Sequence, residues 1–141
     1  MQTFLPYPSV WESVLCLDNK RLGKQRVEAW QLIDILTKKE KSKSWRWYNH
    51  PAVKMWDGYI DALKFYYNMA LITWDIRGFN NIKLQMIDFL KHPSPLLFPK
   101  WFGDDKFHSA HRAALLYKDY DYYKHFGWKE KPKLNYYWPI N

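Results

Sequence analysis

Cysteine is almost missing from this sequence, because Cys16 is its single cysteine. One cysteine cannot form an intrachain disulfide or supply a cysteine zinc site, and a position between two leucines suits a small buried hydrophobic residue. No stretch approaches the roughly 18 uncharged apolar residues of a membrane span. The start, MQTFLPYPSV, lacks the basic region and apolar run of a signal peptide. We therefore expect a soluble, intracellular protein of the cytoplasm, nucleoid or nucleus.

Short motifs with a known mechanism are also missing, since the sequence has no Gly-rich phosphate loop, nucleophile elbow or paired zinc-ligand motif. His108, His111 and Arg112 can share one helix face, because residues three and four apart are neighbours. A zinc site there would need at least one more convergent ligand. The three side chains instead suggest a polar cluster that binds phosphate or sugar, or else partly buried structural histidines. We expect no metal and no cofactor.

Positive charge and aromatic rings are abundant. The net charge is +8, and 20% of the residues are aromatic, including nine Trp and eleven Tyr. The charge favours an acidic partner, with nucleic acid ahead of an anionic membrane surface. Aromatic faces beside Lys and Arg can stack on an unpaired nucleotide and neutralise its phosphates. Duplex DNA is the partner that we expect, with no obligate protein partner and a monomeric chain.

Helical spacing and capping residues predict an all-α fold, and the length fits one domain, residues 1–141. We expect four to five helices around a long central helix, with extended N- and C-terminal segments. Residues 1–8 are predicted to be extended because of two prolines. The tail, 128–141, is predicted to dock back through Tyr136, Tyr137 and Trp138. The predicted helices are a short one from the Ser9–Glu12 capping box through Leu17 and one capped by Asp18 or Asn19 that runs to about Thr37. Further helices are predicted at about 52–77, 82–91 and 106–117, with another turn or two before Gly127.

The second of these helices carries the best candidate site. Its inward stripe is predicted to contain Leu22, Ala29, Ile33 and Leu36. Its other sides carry the cations Lys20, Arg21, Lys24 and Arg26, followed by Glu28. Glu28 is either an ion-pair partner in solvent or a carboxylate placed where the phosphates of a polyanion are held. Gly23 inside the helix suggests the close approach of a partner backbone or ligand.

The connection of residues 38–50, KKEKSKSWRWYNH, is basic and aromatic. It is either a solvated loop or a phosphate-contacting loop in which Trp45, Trp47 or Tyr48 stacks on bases. Its cations include Arg46.

Taken together, these segments resemble the pyrimidine-dimer DNA glycosylases of the phage endonuclease V type. A basic helix with one Glu is followed by a long helix that closes on the Arg-Gly-Phe-Asn turn of residues 77–80. A late helix runs into the Tyr-Tyr-Lys-His-Phe-Gly segment of residues 122–127. The resemblance covers nearly the whole chain. It is closer to a branch of that superfamily whose members begin MQTFLP and carry LDNKRLGKQRVE-like and HPAVKMW-like segments.

The resemblance implies a mechanism in which the N-terminal α-amine attacks the sugar carbon as the base leaves. The resulting Schiff base then undergoes strand elimination, with a glutamate assisting, and Glu28 takes the place of that glutamate. The residue at position 2 departs from the family, since Gln2 is too large for ordinary removal of Met1. Lys24, one turn from Glu28, is therefore an alternative nucleophile, and water activated by Glu28 is a third.

The basic residues of the family align only in part. Arg21 falls where the family has a histidine, and Arg26 lies one position before Val27, which replaces a phosphate-binding arginine. Gln31 replaces a second arginine, whereas Arg112 and Lys118 are similar to a basic pair on the late helix.

We therefore predict a DNA glycosylase with associated abasic-site lyase activity, acting on damaged or modified bases in duplex DNA. The alternatives are a non-catalytic nucleic-acid-binding module and an enzyme of free nucleotides, which would have a closed pocket around Glu28. The predicted catalytic residues are Glu28, Lys24 and Met1. The predicted DNA contacts are Lys20, Arg21, Gln25, Arg26, Arg46, His50, Lys54, His108, His111, Arg112 and Lys118.

Overall fold

Helices account for the regular structure of this chain. The computed structural model describes residues 1–38, 40, 43–88 and 96–140, and within them there are six α-helices and no β-strand. None of these helices combines the length and apolar character needed to cross a membrane. The predicted all-α class is confirmed. The helices are α1 (Val10–Leu15), α2 (Asn19–Lys38), α3 (Pro51–Trp56), α4 (Ile60–Ile76), α5 (Asp105–Lys118) and α6 (Tyr120–Tyr123), with 3-10 turns at Trp45–Trp47 and Lys124–Phe126.

The first two helices begin at the capping residues that the sequence predicts. The Ser9 hydroxyl accepts a hydrogen bond from the Glu12 N–H at 3.2 Å, which satisfies one of the free donors at the start of α1. The Asp18 carboxylate accepts the Arg21 N–H at 3.4 Å in the first turn of α2. Leu22, Ala29 and Ile33 are buried as predicted, and Leu36 is partly buried.

The core is centred on the packing of α2 against α4, and α1 also packs against α4. Leu63, Tyr66 and Ala70 on α4 are fully buried. A fully buried leucine contributes roughly 1.5–3 kcal/mol through the removal of apolar surface from water. Gly23 of α2 lies against the Trp74 ring, and a Cβ there would approach that ring to 3.1 Å. The close approach predicted at Gly23 is thus made by a core side chain.

The predicted central helix of 52–77 is wrong in one respect, because two helices replace it. Helix α3 ends at Trp56, and α4 begins at Ile60. Gly58 between them has a φ of +88°, a left-handed conformation that a helix cannot contain and that glycine adopts at little cost. The Asp57–Gly58 pair is a turn signal within the helical pattern. The predicted end of this region is confirmed, since α4 stops at Ile76 and Gly78 has a φ of +89°.

The predicted helix at 82–91 is wrong for residues 82–88, which are not helical. The Asn68 carboxamide on α4 donates to the Ile87 carbonyl at 2.7 Å and accepts the Ile87 N–H at 2.9 Å. The Tyr67 hydroxyl donates to the Gln85 carbonyl at 2.8 Å. These bonds supply backbone partners that a helix would otherwise have provided. Residues 89–91 lie outside the described residues.

The extended N-terminal segment, residues 2–6, is buried among the helices. Its backbone groups bond to side chains rather than to a neighbouring strand. The Phe4 N–H donates to Gln25 Oε1 at 2.7 Å, and the Leu5 N–H donates to His111 Nδ1 at 2.9 Å. The Pro6 carbonyl accepts from the Arg112 guanidinium at 2.8 Å. This segment is therefore held between α2 and α5, which fixes the position of its first residue.

The C-terminal tail docks back on the body, as predicted. The Tyr136 ring lies 6.2 Å from the Phe4 ring and 6.1 Å from the His111 ring. The Trp138 ring meets the His50 ring edge-on at 5.4 Å, and the Lys106 ammonium lies 4.5 Å from the centre of the Tyr137 ring.

Candidate active site

A cleft opens where the N-terminal segment, α2, the end of α5 and the C-terminal tail meet. Its volume is about 400 Å³, within the usual range for a small-molecule or nucleotide site. Most of its lining side chains are polar or charged. They are Met1, Gln2, Phe4, Lys20, Arg21, Lys24, Gln25, Glu28, Lys118 and Tyr136.

The carboxylate of Glu28 is the acidic group of this cleft. Its Oε2 accepts the Gln2 N–H at 3.3 Å and Gln25 Nε2 at 2.9 Å. Burial raises the pKa of Glu28, while the α-amine of Met1, the two hydrogen bonds and Lys24 oppose that shift. A carboxyl group with a raised pKa exchanges its proton closer to neutral pH, which suits acid–base chemistry.

Gln25 fixes the orientation of Glu28. Its carboxamide is 1% exposed and holds three groups together. Nε2 donates to Glu28, whereas Oε1 accepts the Phe4 N–H at 2.7 Å and lies 2.6 Å from the Tyr66 hydroxyl. Because those bonds use both ends of the amide, Gln25 is occupied as a positioning group. Its predicted contact with DNA is not supported by this burial.

The N-terminus of the chain approaches Glu28 through its second residue. The next peptide N–H, that of Gln2, bonds to the Glu28 carboxylate, and the amine nitrogen itself is 3.5 Å from His50 Nε2. Met1 is partly exposed and lines the cleft. The two predicted catalytic groups that are farthest apart in sequence, Met1 and Glu28, are therefore neighbours, and their roles stay a prediction.

Cations form the exposed rim of the cleft. Lys20 and Lys24 rise from α2 at one-turn spacing with Glu28, and Lys118 ends α5 opposite them. Arg21 also lines the cleft, where its guanidinium pairs with Asp18 at 3.2 Å. The structure thus brings together three of the predicted DNA-contacting cations, Lys20, Arg21 and Lys118, with the predicted catalytic residue Lys24 at one opening.

Other predicted contacts lie elsewhere. Arg26 is on another face of α2, with its guanidinium 4.2 Å from the centre of the Trp74 ring and 2.7 Å from Asn81 Oδ1. Arg46 is exposed and lies 5.4 Å from the centre of the Trp47 ring. Lys54 is exposed and lines a separate groove that contains Tyr48. These three cations do not line the cleft. In loop 38–50, residues 39, 41 and 42 are outside the described residues, and the Trp45 and Tyr48 rings stack on each other at 4.2 Å.

The predicted cluster on α5 is structural. His108 and His111 are 1% and 0% exposed, so neither can reach a phosphate in solvent. His108 Nδ1 contacts the Leu5 carbonyl at 2.7 Å, and His111 Nδ1 accepts the Leu5 N–H. Burial lowers the pKa of His108 and lowers that of His111 to about 3, which keeps His111 neutral. This burial contradicts the expectation that these histidines bind phosphate or sugar. It favours the alternative, in which they are structural histidines.

Arg112 belongs to the same cluster. Its guanidinium pairs with Glu130 at 2.9 Å and Asp105 at 3.0 Å, in addition to the Pro6 carbonyl. Its side chain is 14% exposed. Because each of its three guanidinium nitrogens has a partner within the protein, Arg112 anchors the N-terminal segment, and its contact with a DNA phosphate stays a prediction.

Sequence reasoning missed two groups of the cleft. Gln2 Oε1 accepts the Thr3 N–H at 2.9 Å, and Gln2 Nε2 is buried without a hydrogen-bond partner among the described residues. The Tyr136 hydroxyl keeps its proton, because burial, followed by the charge of Glu28, raises its pKa to about 12. A tail docking on the body was predicted, but no local signal indicated that Tyr136 would reach Glu28.

An all-α fold in which a carboxylate, an α-amine and a basic rim share one cleft is suited to chemistry on a polyanion. Comparison with known families agrees, since the family described as pyrimidine dimer DNA glycosylase matches residues 1–86, more than half of the chain. The protein belongs to this family of DNA glycosylases. No curated protein and no solved structure matches the chain. The matched residues include Met1, Lys24, Glu28 and His50, whereas Lys118 and Tyr136 lie beyond them.

Proposed function

We propose that the protein is a DNA N-glycosylase with abasic-site lyase activity, which removes a damaged or modified base from duplex DNA. The α-amine of Met1 is the proposed nucleophile, and Glu28 is the proposed acid–base group. The observation that carries this proposal is the approach of the N-terminus to Glu28, where the Gln2 N–H lies 3.3 Å from the carboxylate. Membership of the glycosylase family supports the reaction class.

The proposed first step is displacement at the sugar. The amine nitrogen forms a bond to C1′ while the bond from C1′ to the base breaks, and the base leaves with the electron pair and takes up a proton from the solvent. The nitrogen transfers a proton to the Glu28 carboxylate. The C1′–O4′ bond then opens, and the ring oxygen takes that proton, which leaves a protonated Schiff base.

The proposed second step is elimination. Loss of a proton from C2′ moves an electron pair toward the electron-poor iminium, and the C3′–O bond breaks, so that the 3′ phosphate leaves. Hydrolysis of the Schiff base returns the free amine. Glu28 is suited to proton transfer in both steps because burial raises its pKa.

Met1 is favoured over Lys24 by geometry. Lys24 is exposed in the cleft, whereas Met1 is partly buried, with its amine nitrogen 3.5 Å from His50 Nε2 and the next peptide N–H bonded to Glu28. An ordinary α-amine is also uncharged more often at neutral pH than an ordinary lysine amine, and only the uncharged form attacks carbon.

An extended polyanion is favoured over a free nucleotide. The free-nucleotide alternative requires a closed pocket around Glu28, but the cleft is bordered by the exposed cations Lys20, Lys24 and Lys118. Such a rim can hold phosphates on either side of one extruded nucleotide.

Borohydride trapping on an abasic duplex and on a panel of damaged duplexes tests this proposal. We expect a covalent adduct that peptide mapping locates on Met1. It is expected to persist in Lys24→Ala and to be lost when the α-amine is acetylated.

Two results would count against the proposal. An adduct located on Lys24 would move the nucleophile to the rim. The absence of both adduct and base release on every duplex, by folded protein that still binds DNA, would leave the non-catalytic binding module as the function.

A further inference from the structure

One ring nitrogen of His50 accepts a hydrogen bond from the backbone. It is the N-cap residue of α3, and its Nδ1 accepts the Ala52 N–H at 3.1 Å. A nitrogen that accepts a hydrogen bond carries no hydrogen. Burial, followed by the charge of the N-terminal amine, lowers the pKa of His50 and favours the neutral ring. The hydrogen-bond pattern therefore assigns the hydrogen of the neutral ring to Nε2.

The second nitrogen of this ring faces the α-amine of Met1. The distance between His50 Nε2 and the amine nitrogen is 3.5 Å, at the long end of hydrogen-bond contact, as catalytic contacts often are before substrate binds. An Nε2–H group can donate only to a lone pair. The uncharged amine has one, whereas the ammonium form has none.

Two aromatic rings hold the imidazole in this orientation. The Trp47 ring meets it edge-on at 6.1 Å, and the Trp138 ring does so at 5.4 Å. The ring is thus fixed by the cap on one side and by tryptophans from the 3-10 turn and the tail. Its Nε2–H has little freedom to turn away from the amine.

We infer that His50 is a positioning residue, which donates Nε2–H to the uncharged α-amine of Met1 and so holds this amine in its nucleophilic form. The inference rests on the proposed function of that amine. The other titratable groups of the cleft act in both directions. Glu28 favours the ammonium form, whereas the cations favour the uncharged form, namely Lys20, Arg21 and Lys24 on α2 and Lys118 on α5. The Tyr136 hydroxyl is neutral.

Two substitutions test the roles of the two His50 ring nitrogens separately. In His50→Asn, the short amide oxygen can still accept the Ala52 N–H, since Asn is among the best N-cap residues, but the Nε2–H donor is lost. In His50→Gln, the longer amide can still donate near the amine, but the cap is weakened. We expect His50→Asn to keep the melting temperature and lose rate, and His50→Gln to lower the melting temperature and keep more of the rate.

The first measurement needs no DNA. Acetylation of the α-amine by trace acetic anhydride is followed by mass spectrometry from about pH 5 to about pH 10. Loss of one neutral hydrogen bond to the free amine is expected to move the onset of labelling upward by about 0.5–1 pH unit in His50→Asn. Labelling near neutral pH then falls about three- to tenfold. Equal labelling curves for His50→Asn and the unchanged protein would overturn the inference.

The second measurement uses the abasic duplex and the rate of borohydride trapping across the same pH range. In His50→Asn, the inference predicts a rate lost on the acid side and recovered at high pH, because enough amine is then uncharged without the donor. A uniform loss at all pH values would instead indicate a structural role and overturn it. Shifted labelling without any DNA adduct in either protein would support the His50 contact and defeat the proposed attack of the Met1 amine on DNA.

Discussion

Two groups of polar side chains at helical spacing differ in their exposure in this protein. On α2, Lys20, Lys24 and Glu28 follow one another at four-residue intervals and face an open cleft. On α5, His108 and His111 have similar spacing, but both are buried and bond to the Leu5 peptide. Spacing alone predicts which residues share a helix face, and it does not predict what covers that face.

The difference lies in which hydrogen-bonding groups the fold leaves free. The N-terminal segment covers α5 and uses the polar groups there, because its buried backbone donors and acceptors need partners. The same segment also bonds to Gln25 and Glu28 of α2, but Lys20 and Lys24 of that helix stay exposed. The α5 cluster positions the segment, and α2 supplies the carboxylate of the proposed active site. Each of the following experiments acts on one side of this division.

The largest effect is expected from Glu28→Gln. The amide oxygen can still accept the Gln2 and Gln25 donors, so the fold is retained, but proton transfer is lost. We expect the rate of base release to fall by about 10²–10⁴-fold, measured under single-turnover conditions on a cleavable duplex. Glu12→Gln on the exposed face of α1 is the matched control and is expected to keep the full rate. A fall of less than about tenfold in Glu28→Gln would assign Glu28 to the same structural class as the α5 cluster.

Much of the fold could be predicted from local signals. The caps at Ser9 and Asp18 mark the starts of α1 and α2, and α5 runs over Asp105–Lys118 where 106–117 was predicted. The error at 82–88 has a non-local cause, since the carboxamide of Asn68, 19 residues before Ile87, bonds to that backbone. A helical pattern in sequence carries no information about such a competitor.

The main residues of the site could be predicted from the sequence, but the contacts that bring them together could not. The charge pattern and the family resemblance both selected Glu28. The contacts that complete the cleft join residues 26 apart at Gln2 and Glu28, 49 apart at Met1 and His50, and 106 apart at Leu5 and His111. No periodicity reports contacts over such separations. The histidines at 50 and 108 look alike in sequence, and only their packing distinguishes them.

A smaller effect is expected when acid protonates His111. Burial lowers the pKa of His111 from 6.5 to about 3 in the folded protein, so the unfolded chain binds more protons between these values. The stabilisation is therefore complete above about pH 6.5 and is lost as the pH falls toward 3. The free energy of unfolding is expected to drop by about 2 kcal/mol between pH 6.5 and pH 5 from this group. Urea unfolding across that range measures the drop.

His111→Asn isolates this contribution. Its amide oxygen can accept the Leu5 N–H, but the residue does not titrate. The variant is expected to be less stable at neutral pH, because the smaller side chain leaves space beside Phe107, whose ring lies 4.3 Å from His111. Its stability curve is expected to approach that of the unchanged protein as the pH falls, since other titrating groups such as Glu28 are common to both. Parallel curves would show that His111 is not held neutral by burial.

The smallest effect is expected at the rim, where a single cation is exchanged. Lys118 and Lys106 are both exposed on α5, but Lys118 lines the cleft, whereas Lys106 lies over the Tyr137 ring. If Lys118 neutralises one phosphate, Lys118→Gln reduces the slope of log affinity against log salt by about 0.9, because one fewer counterion is released from B-DNA. Lys106→Gln removes the same charge from the same helix and is expected to leave the slope unchanged. Titration of a fluorescent duplex at several salt concentrations measures both slopes, and equal changes would show that DNA follows the overall positive charge rather than this cleft.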